Sequence, residues 1–243
     1  TVANGASIHA DGKGFGAASG PGKGILNGTS TQGSGGGYGG QGGNTADATA
    51  GGSAYGSSVV PTALGSGGAG GVGFGGGAIK LNVNSTLTVN GTLSANGANS
   101  TSSAFGGGAG GSIWLFAGMV AGTGSISANG GTVPATATGG GGGGGRIKLG
   151  YTTKTYTGSV TATGGTATGG TASQAGTTST PIDSKIPNAP TLSSPADAAV
   201  NQLLKPTLQL SATDADSDYL QFKILLAQDF DFTTGLQTFD QSV

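Results

Sequence analysis

The chain is 243 residues long, with 55 glycines, no cysteine and a formal net charge of −1. Without cysteine there is no disulfide staple and no thiol chemistry, and the few charges make too weak a field to recruit nucleic acid or an anionic lipid surface. No run approaches the ~18 apolar residues that a membrane helix needs, so no membrane span is expected.

Glycine is unevenly spread. Only Gly235 lies beyond residue 180, so the other 54 glycines fall in the first 180 positions, far above the roughly 7% of ordinary proteins. Collagen is excluded, because glycine does not occupy every third place and proline is scarce. Residues 1–180 carry six basic and two acidic side chains, giving +4, whereas residues 181–243 carry three lysines and eight aspartates, giving −5. The two parts have opposite sign and attract each other in an assembly. An opening at Thr1 without methionine suits either a processed secreted protein or an excerpt of a longer one.

In chain order, Ile8-His9-Ala10-Asp11-Gly12 is the first strand-and-turn signal. Glycine-rich tracts follow at 33–43, 65–77, 106–111 and 139–145. They recur in register with the strands, so they read as ordered turns or extended polyglycine segments whose missing Cβ permits close backbone approach. Disordered loops are the alternative. Residues 77–95 alternate with period 2, placing Ile79, Leu81, Val83, Leu87, Val89, Leu93 and Ala95 on one side of half-buried strands.

Two boxes then repeat. Gly77-Ala78-Ile79-Lys80-Leu81 recurs as Gly111-Ser112-Ile113-Trp114-Leu115 and as Gly145-Arg146-Ile147-Lys148-Leu149, and the starting glycines are 34 residues apart each time. The second box reads Leu93-Ser94-Ala95-Asn96-Gly97, Ile126-Ser127-Ala128-Asn129-Gly130 and Val160-Thr161-Ala162-Thr163-Gly164. Repetition of this length marks stacked units, each burying its apolar face on the next. Residues 78–83, 112–117 and 146–151 are therefore predicted to stack in parallel register with Ile79, Ile113 and Ile147 in one interior column. Asn96 and Asn129 either stack as a side-chain amide ladder or bond their own turns.

Composition changes near Thr180. Pro181, Pro187 and Pro190 punctuate a linker over 181–190, and residues 206–212 and 219–226 read as strands flanking an Asp-rich turn. The pattern Pro187-Asn188-Ala189-Pro190, Ser194-Pro195-Ala196-Asp197, Ala212-Thr213-Asp214 resembles the opening half of an immunoglobulin-like or fibronectin type III-like sandwich. Such a sandwich takes about 100 residues, so residues 191–243 supply only part of one.

The glycine tracts, the strand box and the turn box resemble the glycine-rich β-helix regions of large secreted bacterial surface proteins, which often carry immunoglobulin-like modules. The resemblance covers residues 1 to about 170. The expected fold is all-β: a glycine-rich parallel β-helix-like solenoid over 1–180 followed by a partial immunoglobulin-like β-sandwich over 191–243. The resemblance implies an extracellular, cell-surface protein, and the function expected is a structural subunit of a filament or fibre that self-associates into a homopolymer. The alternative is a surface adhesin stalk that binds carbohydrate or abiotic surfaces.

An enzyme is not expected. Polysaccharide-cleaving β-helices need clustered carboxylates, and the repeat region offers only Asp11, Asp47 and His9. No cofactor is expected, and no Gly-Lys-[Ser/Thr] phosphate loop is present. Asp214, Asp216 and Asp218 alternate as ligands of a hard cation such as calcium would, against the plainer reading of a solvated turn. On the sheet wall the 34-residue period sets Trp114 between Lys80 and Lys148, with Phe116 beside it, as a cation–π contact surface; the alternative is that glycine tracts fold over them. At the C-terminal end Leu208, Leu210, Phe222 and Ile224 are predicted assembly contacts, because a sandwich lacking strands exposes half a core. Four sequons, at Asn27, Asn84, Asn90 and Asn99, are expected by chance in a chain so rich in Asn, Ser and Thr.

Overall fold

A computed structural model of the chain describes residues 1–134, 138–167, 182–196, 199–200, 207–214, 220, 222–229, 231 and 233–240. Among the described residues the architecture is all-β, with twelve strands and no helix. Two compact units divide the chain, Thr1–Ser184 and Lys185–Val243.

The first unit holds two sheets built from parallel repeat strands. Long strands β2 (Ala78–Thr88), β4 (Ser112–Ala121) and β6 (Arg146–Lys154) lie side by side with β8 (Ile182–Lys185) at the end. Short strands β1 (Ser7–His9), β3 (Thr92–Ser94), β5 (Ser125–Ser127) and β7 (Ser159–Thr161) form the second sheet in that order. Within the segment expected as a linker, Ile182–Lys185 is thus a strand. Ile79 pairs with Ile113 and Ile113 with Ile147, and Leu81, Leu115 and Leu149 follow two places on. In the short sheet Ile8, Leu93, Ile126 and Val160 align. Period-2 alternation turns both files toward one core, where Leu93, Ile113, Leu115, Ile126, Ile147 and Leu149 are buried, while Ile8 on the end strand of the short sheet stays exposed.

One irregularity interrupts the 34-residue spacing of the first box. Val83 pairs with Ala117 but Thr86 with Met119, so β2 carries one extra residue in a β-bulge. Beyond it the offset between the first two repeats is 33, as Leu93 opposite Ile126 shows, while Ile126 to Val160 keeps 34.

The glycine tracts are ordered, extended and bonded chiefly to one another. Gly33 and Gly36 donate to the carbonyls of Ala104 and Gly107, Gly107 and Gly110 to those of Gly140 and Gly143, and Gly140 and Gly143 back to Gly33 and Gly36, at 2.8–3.1 Å. Three segments therefore close a cycle in which bonds recur at every third residue, the period of a polyproline II helix. Further segments join antiparallel: Gly40 and Gly43 donate to Gly144 and Gly141, and Gly106 and Ala109 to Ala69 and Ser66. Polyproline II has no internal hydrogen bonds, so buried N–H groups of this kind must find partners on neighbouring segments, and here they do.

The second unit contains β9 (Thr191–Ser194) antiparallel to β10 (Gln209–Ser211), and β11 (Lys223–Leu226) antiparallel to β12 (Gln237–Asp240). The strands expected to flank the Asp-rich turn are thus paired with other partners than each other. Gln209–Ser211 pairs with Thr191–Ser194, and Lys223–Leu226 pairs with Gln237–Asp240.

Candidate functional site

The repeated turn gives the first unit its most regular polar feature. Asp11 Oδ1 accepts the backbone N–H of Asn96 at 2.6 Å, Asn96 Oδ1 accepts that of Asn129 at 2.8 Å, and Asn129 Oδ1 accepts the N–H of Thr163 at 2.9 Å and its hydroxyl at 3.0 Å. Neither expected arrangement occurs. The side chains do not stack on each other, nor do they cap their own turns; each side-chain oxygen caps the backbone of the next repeat. Parallel register presents the next repeat's N–H at bonding distance, and Asn99 to Thr132 repeats the device at 2.8 Å. Asp11 also accepts the Ser94 hydroxyl at 2.8 Å.

On the outward face of the long sheet, Lys80, Trp114 and Lys148 are register partners, and the Lys80 ammonium lies 3.9 Å from the centroid of the Trp114 ring. Phe116 pairs with Gly150, and a Cβ there would meet the Phe116 ring at 2.7 Å, so glycine makes room for it. Trp114 and Phe116 are both half-buried, between the two readings the sequence allowed. At the next register position toward the strand start, the segment between β1 and β2 does close over the sheet.

That closure rests on residues the sequence reading passed over. Tyr38 is fully buried, its hydroxyl 2.7 Å from Ser112 Oγ on β4, and Ser112 donates to the Ala63 carbonyl at 2.6 Å. Arg146 on β6 donates through Nε and Nη2 to the Tyr55 carbonyl at 3.0 and 2.8 Å, and its guanidinium lies 5.5 Å from the Tyr38 ring centroid. Burial pushes both tyrosine hydroxyls above their ordinary value, and hydrogen bonds to Ser112 and to Ser66 pull the other way for Tyr38 and Tyr55 respectively. Two aromatics in a glycine-rich stretch were the available signal. Nothing in their spacing marked their partners.

The acidic residues are engaged separately. Asp47 accepts from Asn27 Nδ2 at 2.6 Å, from the Thr49 hydroxyl at 3.0 Å and from the Thr45 hydroxyl, so its carboxyl is lowered to about 2, the Thr45 bond being the largest cause. Asp11 has the different partners given above, and His9 is exposed on β1. The two carboxylates therefore do not form a paired acid–base site. Among the described residues no three His, Cys, Asp or Glu side chains gather as a metal site. Asp214 is described, but Asp216 and Asp218 lie outside the described residues, as does any calcium geometry that needs them. No helix among the described residues is long and apolar enough to cross a membrane.

In the second unit Leu192, Leu208, Leu210, Ile224 and Leu226 line an apolar cleft of about 280 Å³ with Lys223 at its side. Leu192 is 50% exposed and Phe239 on β12 is 54% exposed, so apolar surface remains uncovered on both hairpin pairs. Phe222 is half-buried beside β11. No protein-family profile, curated protein or solved structure matches this chain.

Proposed function

We propose that this chain is a structural subunit of an extracellular filament or surface fibre, a glycine-rich parallel β-helix-like solenoid followed by a partial immunoglobulin-like sandwich. The single observation that carries the reading is the in-register stacking of successive repeats, Ile79 on Ile113 on Ile147, with β2 and β1 as end strands of their sheets. Parallel stacking of near-identical layers is the geometry that extends by adding layers, and an end strand offers its unpaired backbone groups to the next one. Uncovered Leu192, Leu225 and Phe239 in the second unit favour completion by a strand from a neighbouring copy. The +4 and −5 halves favour a head-to-tail arrangement, which propagates. Engagement of Asp11 and Asp47 by hydroxyl, amide and backbone donors supports a non-enzymatic role.

A second reading, an adhesin stalk that binds carbohydrate or surfaces, draws on Ile25, Val59 and Val72, exposed apolar residues on the loops that connect the glycine segments. Electron microscopy of the purified chain over a range of concentrations separates the two. Regular filaments that lengthen with concentration are expected. Monomeric particles at every concentration that still bind glycans or surfaces would replace the first reading with the second.

A further inference from the structure

Five Asn-Gly dipeptides occur in the chain, at Asn4, Asn27, Asn90, Asn96 and Asn129. In such a pair the glycine nitrogen can attack the asparagine side-chain carbonyl carbon, because no Cβ on the glycine hinders the approach. The reaction needs a carboxamide free to turn and a backbone N–H free to leave its partner.

Four of the five are held. Asn96 and Asn129 have their oxygens bonded in the turn ladder, and Gly97 and Gly130 donate to the carbonyls of Asn129 and Thr163 at 2.8 Å. Asn90 Oδ1 accepts from Thr123 N–H at 3.3 Å while Gly91 donates to Val2 at 3.1 Å. The Asn27 carboxamide is clamped at both ends: its oxygen accepts from Thr31 and Gln32, and its nitrogen donates to Thr29, Thr31 and Asp47. Asn4 differs. It is exposed in the turn closed by the Ala6 N–H to Ala3 carbonyl bond, Gly5 has φ +77°, and among the described residues neither the Asn4 side chain nor the Gly5 N–H has a hydrogen-bond partner.

We propose that Asn4 is a site of spontaneous deamidation and backbone isomerisation in the folded protein. The Gly5 nitrogen forms a bond to Asn4 Cγ, the Cγ–Nδ2 bond breaks, and ammonia departs with the proton that Gly5 gives up, leaving a succinimide. Water then opens either ring carbonyl, giving aspartate or isoaspartate, with no change of oxidation state. Isoaspartate adds a methylene to the backbone of the turn that joins Val2 to β1. Val2 is buried in the core, its N–H donates to Thr88 at 2.8 Å, and its carbonyl accepts from Asn90 and Gly91. Ageing at residue 4 therefore loosens this seam.

The test incubates the intact chain at neutral to mildly alkaline pH and follows the ammonia-for-water mass change by peptide mapping, resolving aspartate from isoaspartate. Conversion at Asn4 is expected to run on the order of tenfold or more faster than at Asn96 or Asn129, whose reaction must await local opening. In denaturant the five sites should converge. Hydrogen exchange at Val2, Asn90 and Gly91 should quicken in aged protein and stay unchanged in an equally aged Asn4→Gln variant. Equal rates at the five sites in the folded chain, or an aged Asn4→Gln variant that loosens as much as the parent, would overturn the proposal.

Discussion

A Cβ at Gly107 would lie 2.7 Å from the Gly131 carbonyl carbon, while at Gly16 it would meet nothing within 4 Å. These two positions separate glycine as a packing requirement from glycine as composition. Gly107→Ala is expected to destabilise by roughly 1–3 kcal/mol through overpacking. Gly16→Ala, at an exposed site, should stay within about ±0.5 kcal/mol. Denaturant midpoints of the two variants measure the difference, and equal values would mean that the segments slide apart freely. Asp47 carries a pH prediction at the same scale. Its folded value of about 2 lies below the ordinary 3.8, so its contribution is present above pH 4 and is lost as pH falls toward 2. Acid titration followed at the Thr45 and Thr49 amides should show the loop loosening in that window. Asp47→Asn should remove that acid transition.

At the scale of the element, each strand's burial follows its place in the stack. Ile113 on β4 has a neighbouring strand on both sides and no exposure, whereas Ile79 on the end strand β2 keeps 8%. Ile113→Ala is expected to cost about 2–5 kcal/mol. Ile79→Ala should cost less, because the cavity it leaves opens toward the end of the sheet and collapses more easily. Thermal or denaturant unfolding of both variants checks the order. The turn ladder gives a second prediction. Asn129→Ala removes the acceptor of the Thr163 N–H and hydroxyl, and since Thr163 is exposed, water substitutes and the loss should be only about 0.5–1.5 kcal/mol. Faster hydrogen exchange confined to Thr163 would show that the bond acts locally between two repeats.

For the whole molecule, the division at Ser184 and Lys185 separates a unit with a closed core from one with uncovered apolar faces. Residues 1–184 expressed alone are expected to unfold in one cooperative transition. Residues 185–243 alone are expected to bind a hydrophobic dye and to lack such a transition, because two two-stranded antiparallel pairs that meet only around an open apolar cleft leave too much apolar surface in water. A soluble, cooperatively folding monomer of 185–243 would remove the argument for strand completion and leave the stacking of the first unit to be judged by itself.

The alternation of Ile79, Leu81 and Val83 and the recurrence of that box were enough to predict which residues would be paired in the long sheet. Side-chain period and repeat spacing are local properties, and together they fix a parallel register. The 33-residue offset was also visible in the second box, yet only the fold placed the extra residue in a bulge between Val83 and Thr86. Glycine offers no such legibility. With no side chain, Gly33, Gly107 and Gly140 are alike in sequence, and which of them bond is settled by the segments that the third dimension brings together. The same holds for Tyr38, Ser112 and Arg146, separated by 74 and 34 positions along the chain and joined only because the segment between β1 and β2 folds over the sheet.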